Sequence, residues 1–122
     1  MSRKVFIVHA MVWKDKKPCW AVKDLTAREM HRKYSDFDLI ITGHNHAPFI
    51  SSLKGRILVN PGSLSRQSVT EADYKPRVYL WYAEENKLET VFVPIEDNVI
   101  RTTKSTEALK REKRLTAFVS SL

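Results

Sequence analysis

The stretch LIITGHNH, residues 39–46, decides the fold because a continuous apolar run ends there in two histidines. The run 39–41, entered from polar residues, is typical of a buried strand in a mainly parallel sheet. In open α/β sheets, ligands collect just beyond the carboxyl ends of the strands. We therefore predict that His44 and His46 are metal ligands and that Gly43 frees the backbone in front of them.

A second apolar run, residues 5–8, ends in His9. The connection to residue 39 is long enough for a crossover helix, as parallel strands require. If the two runs are parallel neighbours or near neighbours, His9, His44 and His46 converge on one rim of the sheet.

The crossover helix is visible in the sequence. Thr26 and Glu29 have the spacing of a capping box, and Leu25 and Met30 are placed as its hydrophobic staple. We expect this helix to run to about Tyr34. A histidine within it, residue 31, is predicted to lie on the helix surface.

The remainder of the chain is predicted to contain two hairpins and a terminal helix. Strands at 48–53 and 56–59 flank Lys54-Gly55, where glycine supplies a positive φ, and strands at 77–83 and 88–94 flank a second turn. Asn60-Pro61-Gly62-Ser63 is a turn between them. The tail has the pattern of a basic helix at about 105–120.

Composition bounds the class of protein. With 122 residues, the chain is one domain or part of one, and no apolar run approaches the roughly 20 residues of a membrane helix. The lone Cys19 fits a reducing compartment, so we predict a cytoplasmic location. Residues 1–60 carry 11 basic and 5 acidic side chains, +6 of the net +7. This excess of positive charge favours a phosphate-bearing partner such as nucleic acid. The alternative is that it serves only solubility.

Two tryptophans flank a lysine-rich stretch between the first strand and the helix. Trp13 and Trp20, with the lysines between and beside them, could stack on the bases of a single strand. The alternative is that both rings anchor the loop onto the core. The sequence leaves this choice open.

Taken together, a strand ending in histidine, GHNH after a buried strand, a hairpin and then NPGS resemble the C-terminal half of calcineurin-like metallophosphoesterases. The variant LVNPGSLSRQ followed by KPRVYLWY is most similar to SbcD-like DNA exonucleases and related phage phosphoesterases. The resemblance implies an α/β fold, namely the C-terminal half of a four-layer α/β/β/α sandwich with mixed sheets. We expect a single partial domain over residues 1–122, with its core at 4–95.

The resemblance also implies a site. His9 and His44 match ligands of one metal ion, and His46 matches a ligand of the other. Further residues match the region next to the substrate: Asn45, Asn60, Ser63 and Arg66. Manganese is the ion expected in the complete site.

The chain lacks the aspartate-bearing motifs of the family's N-terminal half. Three neutral histidines cannot hold two close divalent cations without repulsion, and they would hold at most one, with zinc, nickel or cobalt preferred. We therefore expect part of a metal-dependent phosphodiesterase, a DNA nuclease using metal-activated hydroxide, that is inactive or nearly so alone. It would pair with the missing N-terminal half or self-associate. The alternative is a non-catalytic module that binds a partner protein or nucleic acid.

Overall fold

The structure is a computed structural model that describes residues 2–65 and 73–95, together with Arg114 and Val119. It divides into two compact units, Met1–Leu64 with Arg77–Val93, and Ser65–Pro76 with Pro94–Leu122. The predicted basic helix falls in the second unit. Arg114 and Val119 are helical, and the rest of that helix lies outside the described residues.

All strands found among the described residues belong to the first unit. In chain order, its elements are β1 (Val5–His9), β2 (Val12–Trp13), β3 (Leu25–Thr26), α1 (Ala27–Lys33), β4 (Leu39–Gly43), β5 (Phe49–Leu53), β6 (Arg56–Asn60), β7 (Arg77–Tyr82) and β8 (Lys87–Phe92). Both predicted hairpins, β5–β6 and β7–β8, are confirmed. The short parallel pair β2–β3 was not predicted.

The main sheet has the strand order β1-β4-β6-β5. The first three of these strands are parallel, and β5 runs antiparallel to β6. The predicted parallel pairing of the two histidine-bearing strands is confirmed, with His9 opposite Gly43. The central strands β4 and β6 each contain a continuous apolar run, residues 39–41 and 57–59, because both of their faces are covered.

The crossover helix α1 is also confirmed. The Thr26 hydroxyl accepts a hydrogen bond from the Glu29 amide at 3.3 Å, and the Glu29 carboxylate accepts from the Thr26 amide, so the capping box is complete. The helix ends at Lys33, where the Tyr34 amide donates to the Met30 carbonyl at 2.9 Å. No helix among the described residues is long and apolar enough to cross a membrane.

The centre of the main sheet is covered on both faces, so the first unit has three layers. One face packs against α1 through a cluster that includes Val12, Ala27, Met30, Ile40, Phe49 and Leu58. The other packs against the β7–β8 hairpin through a cluster that includes Leu39, Ile57, Val59, Tyr79, Trp81 and Leu88. The described residues thus form one helical layer and two sheet layers of a mixed α/β fold, and the predicted four-layer sandwich stays a prediction.

The turn of the β5–β6 hairpin has positive φ at two residues, 52° at Lys54 and 76° at Gly55. Two consecutive left-handed residues define a type I′ turn, whose twist matches that of the flanking strands. The sequence predicted only the glycine.

The β7–β8 hairpin is fastened to the main sheet by two polar side chains, those of Asn86 and Arg3. Asn86 donates to the carbonyl oxygens of Asp38 and Gly55, both at 3.0 Å, and accepts from the Trp81 indole at 2.9 Å. Arg3 donates to the carbonyl oxygens of Ala83 at 2.8 Å and Glu84 at 2.9 Å in the turn of the hairpin, and it is held by a salt bridge to the Asp38 carboxylate at 3.2 Å. These contacts lie before the start of β4, at the edge of the sheet opposite the histidines, and they hold the two layers in register.

The prediction for His31 was wrong, because its side chain is buried with 1% of its surface exposed. Residues 27, 30 and 31 share the helix face that packs on the sheet. The ring Nε2 lies 3.2 Å from the Ser51 carbonyl oxygen, and Nδ1 has no hydrogen-bond partner among the described residues. Burial lowers the pKa of His31, with a smaller contribution from the nearby Arg56 cation.

The lowered pKa of His31 makes stability depend on pH. The unfolded chain binds more protons at this residue than the folded protein does, so stability falls as pH drops below the ordinary histidine pKa. We expect the urea midpoint to fall between about pH 7.5 and about pH 5.5, with a contribution from this residue of at most about 1.4 kcal/mol per pH unit. His31→Gln should lose that contribution, whereas His46→Gln, at an exposed site, supplies the background. Identical pH profiles for the parent and His31→Gln would contradict this.

Candidate metal centre

Two of the three predicted histidines meet at the carboxyl ends of adjacent strands. His9 closes β1 and His44 directly follows β4, and the register of the two strands sets them side by side. Their ring centroids are 5.2 Å apart, with an edge-to-face angle of 79°. Both side chains are exposed, so an ion or a ligand can reach them from solvent.

The backbone turn after β4 differs from the prediction. Gly43 was expected to supply the unusual backbone conformation, but the left-handed residue is His44, with φ 80°. The strand continues through Gly43, so the turn starts one residue later. A Cβ at Gly43 would lie 3.4 Å from Nδ1 of His9, so the glycine leaves room beside that ring.

A buried asparagine holds the loop that carries the histidines. Asn60, at the end of β6, is fully buried and donates to the carbonyl oxygens of Asn45 at 2.7 Å and Ala47 at 2.9 Å. Its own carbonyl oxygen accepts from the buried Thr42 hydroxyl at 3.0 Å. Asn60 was predicted to lie beside a substrate. In the structure its side-chain amide bonds to the protein through both its nitrogen and its oxygen, which gives it a positioning role.

The Asn45 side chain also acts within the loop. Its amide nitrogen donates to the Val12 carbonyl at 3.1 Å, and its oxygen accepts from the Ala47 amide at 3.0 Å. The first bond joins the GHNH segment to β2, and the second is a local Asx-type turn. Asn45 was also predicted to lie near the substrate, and the structure shows it binding the protein at both ends of its amide.

The third predicted ligand, His46, does not join the pair. Its side chain is exposed, and its carbonyl oxygen accepts a hydrogen bond from the Ser63 amide at 3.2 Å. Within the described ranges, no three histidine, cysteine, aspartate or glutamate side chains form a group that could hold a metal ion. Ser63 thus lies next to the loop, whereas Arg66 lies outside the described residues.

The donor set fits half of a metal centre. Two imidazoles can contribute to a site for zinc, nickel or cobalt, but a pair of ions needs bridging oxygen ligands, normally carboxylate. The carboxylate nearest to His44 in the sequence belongs to Asp38. That residue directly precedes β4 and so lies at the opposite end of the strand from His44. The residues described here therefore do not fit a two-ion centre by themselves.

Sequence reasoning missed Thr42 and undervalued Asn60. Thr42 is the one polar side chain within the apolar β4 sequence, and that break in the pattern is the available signal. A polar residue at a buried strand position needs a hydrogen-bond partner. Its partner is 18 residues away, so only the fold identifies it.

A mixed sheet with a parallel core, whose strand ends carry histidines, defines the class as an α/β protein with a ligand site at the carboxyl rim. Residues 1–84 match the calcineurin-like phosphoesterase superfamily domain. The chain belongs to this superfamily, whose members generally use divalent metal ions.

Two further similarities accompany the family match. A probable metallophosphoesterase of Methanocaldococcus jannaschii is 38% identical over 60 residues, which cover 49% of this chain and 29% of that protein. A solved structure described as a novel archaeal phosphodiesterase is 18% identical, with a TM-score of 0.47, over 75% of this chain and 46% of that one. The chain thus spans less than half the length of either relative.

Zinc binding tests the pairing of the two rings. We expect the chain to bind one zinc ion weakly, and His9→Ala or His44→Ala to lower its affinity at least about tenfold, as ligand loss should cost no less than loss of a supporting contact. His46→Ala should change the affinity little because that ring is outside the pair. Isothermal titration calorimetry gives the constants, and His31→Gln is the control. Equal losses for His46→Ala and His9→Ala would contradict the two-ring arrangement.

The left-handed backbone at His44 gives a test that needs no metal. Glycine adopts positive φ without the steric cost of a Cβ, so His44→Gly should be more stable than His44→Ala by about 1 kcal/mol. His46 is not among the positive-φ residues, and its glycine variant should instead be the less stable of the pair. Urea unfolding measures all four variants. If the glycine variant were the more stable one at both His44 and His46, a left-handed backbone at His44 alone would be contradicted.

Proposed function

We propose that this chain supplies the histidine side of the active centre of a metal-dependent phosphodiesterase that acts on DNA. The carboxylate ligands would come from a polypeptide segment outside the described residues. The observation that supports this most directly is the His9–His44 pair, 5.2 Å apart at the rim where two parallel strands end. Divalent ions bound in the completed centre would supply Lewis-acid activation and neutralise charge on the phosphoryl oxygens.

The chain's own contribution is to hold the two rings in place. The β1–β4 pairing fixes the position of His9 relative to Gly43, and the buried Asn60 amide holds the loop just after His44. These bonds are made within the protein and do not depend on an ion. A rim that is organised in advance lowers the cost of ordering ligands when the rest of the site arrives.

The main sheet leaves an apolar surface where such a segment can pack. β1 is an edge strand, and Ile7 is 72% exposed on the sheet face that elsewhere packs against the hairpin. A cavity of about 360 Å³ lies on the same face, lined by apolar side chains including Leu39, Ile41, Val59 and Trp81. Parallel strands normally have both faces covered, so we propose that the carboxylate-bearing segment packs over β1.

Charge supports a phosphate-bearing substrate. The excess of six positive charges in residues 1–60 lies in the part of the chain that contains both paired histidines. Such a field attracts DNA and accelerates its association, in a manner that salt screens. The DNA assignment also draws on the SbcD-like sequence resemblance.

A non-catalytic module is the second candidate. The observation that favours it is the lack of a three-ligand group in the described part of the chain. Such a module would keep the phosphoesterase fold and bind a protein or nucleic acid through its surface. Reconstitution of activity separates the two candidates.

Reconstitution tests the proposal directly. The chain would be coexpressed with the N-terminal half of a calcineurin-like phosphoesterase that carries the family's aspartates, and assayed with manganese on bis(p-nitrophenyl) phosphate. We expect no hydrolysis by the chain alone, because its donor set is incomplete, and clear hydrolysis by the complex. His9→Ala or His44→Gly should remove that activity, since each deletes one ring of the pair.

The control is the same complex with an aspartate-to-asparagine change in the added half, which should associate but remain inactive. Light scattering reports whether the complex or a dimer of this chain forms. A manganese-dependent rate from the chain alone that is lost in His44→Gly would refute the need for completion. A stable but inactive complex would favour the non-catalytic module.

A further inference from the structure

A loop beside the candidate centre presents an exposed tryptophan. The Trp20 loop, defined here as residues 14–24, connects β2 to β3. Trp20 has 73% of its surface exposed, and Val22 in the same loop has 76%. An exposed indole offers a flat aromatic surface on which another planar group can stack.

The loop is held in shape by its own contacts. The Trp13 indole donates to the Asp24 carboxylate at 3.0 Å, and the Lys17 ammonium donates to the carbonyl oxygens of Asp24 at 2.9 Å and Val22 at 3.3 Å. The Ala21 amide closes a turn by donating to the Pro18 carbonyl at 3.0 Å. These bonds order the parts of the loop on either side of Trp20.

The two tryptophans have different roles. Trp13 is half-buried and hydrogen-bonded, so it anchors the loop. Trp20 meets it edge to face, with ring centroids 5.9 Å apart at 82°. An edge-to-face contact fixes the orientation of the second ring and leaves most of its surface available to a stacking partner. Anchoring, one of the two alternatives left open by the sequence, thus accounts for Trp13 alone.

The charges of the loop favour an anion. Lys14, Lys16 and Lys23 are exposed beside one exposed carboxylate, Asp15, whereas the Asp24 carboxylate is engaged by the Trp13 indole. Lysines therefore outnumber free carboxylates on the loop surface. Exposed lysines beside an exposed aromatic ring are the combination by which proteins hold single strands, with bases on the ring and phosphates on the cations. A duplex keeps its bases stacked inside and cannot use the ring in this way.

The loop starts at the same rim as the histidine pair. The Asn45 amide, next to His44, donates to the Val12 carbonyl at the start of β2 at 3.1 Å. Trp13 follows directly. A strand held on this loop is therefore bound beside the segment that carries the candidate ligand His44.

We infer that the Trp20 loop is a binding surface for single-stranded nucleic acid, in which a base stacks on Trp20 and the flanking phosphates contact Lys14 and Lys16. The inference deepens the proposed function by naming the form of its substrate, and as a substrate site it rests on that function. Binding itself requires neither metal nor turnover, so it can be measured separately.

The test is fluorescence anisotropy of the full chain with labelled oligo(dT), oligo(U) and a DNA duplex of equal length, in EDTA. We expect preference for the single strands, and Trp20→Ala should weaken their binding by about tenfold. Trp20→Phe should keep most of the affinity of the parent because phenylalanine retains an aromatic face. Comparing oligo(dT) with oligo(U) shows whether DNA or RNA is preferred. Val22→Ala, an equally exposed apolar site, should bind like the parent.

The contribution of Lys14 and Lys16 can be measured separately, through the salt dependence of binding. The double variant Lys14→Gln and Lys16→Gln should reduce the slope of log affinity against log salt for single strands by about 1.4, since each phosphate contact adds about 0.7. Oligo(dT) should also quench indole fluorescence in the parent, and Trp20→Phe should lose that component while Trp13 and Trp81 still emit.

The inference would be overturned by unchanged affinity in Trp20→Ala, by duplex binding as tight as single-strand binding, or by an equal loss in Val22→Ala. Binding of polyglutamate but not of oligonucleotides would also overturn it and indicate an acidic protein partner. The parent chain should bind oligo(dT) whether or not the reconstituted complex is active. Normal binding together with failed reconstitution would leave this surface intact and remove the proposed catalytic role, so the two failures are distinguishable.

Discussion

The site depends on the register between β1 and β4. Five residue pairs, from Val5 opposite Leu39 to His9 opposite Gly43, fix where each strand ends. Side chains alternate between the two faces of a strand, so a slip of one residue in β1 would move His9 to the α1 side and expose the apolar residues that now face the helix. The register that buries Phe6 and Val8 beside α1 is therefore the same register that brings His9 to His44. Core packing and site geometry are set by one constraint.

A second level of control comes from buried polar groups. Thr42 and Asn60 lie in neighbouring strands where an unpaired polar group would be costly, and together they direct the Asn60 amide hydrogens to the loop carbonyls. This arrangement explains how the loop tolerates the left-handed backbone at His44, since the residue that follows it is held from two sides. Asn45 extends the same network to β2 and so links the histidine rim to the Trp20 loop. Within the GHNH segment, the side chain of Asn45 therefore serves to hold the loop in place.

What the sequence predicted well was local. The capping box, the apolar runs and the turn at Lys54-Gly55 each have their signal within a few residues, and each is confirmed. What it missed depends on partners distant in the chain. His31 is buried because α1 packs on β5, the role of Asn60 depends on a loop 13 to 15 residues away, and the split between Trp13 and Trp20 depends on which ring reaches Asp24. The position of the left-handed residue was missed for another reason, because glycine is the usual choice there and this turn uses histidine.

The incomplete donor set and the uncovered apolar surface lie on the same side of the molecule. Val5, Ile7 and His9 alternate with Phe6 and Val8 along β1, so the exposed apolar side chains and the histidine share one face. The opposite face is occupied by α1, so a segment that packs on this strand has to approach from the side where Ile7 is exposed. A segment that packs over this face and runs parallel to β1 would also end at the rim that carries His9, and residues following it would lie next to the two rings. Burial of Ile7 and delivery of carboxylates are thus satisfied by one packing event, which is why we assign both to the same partner segment.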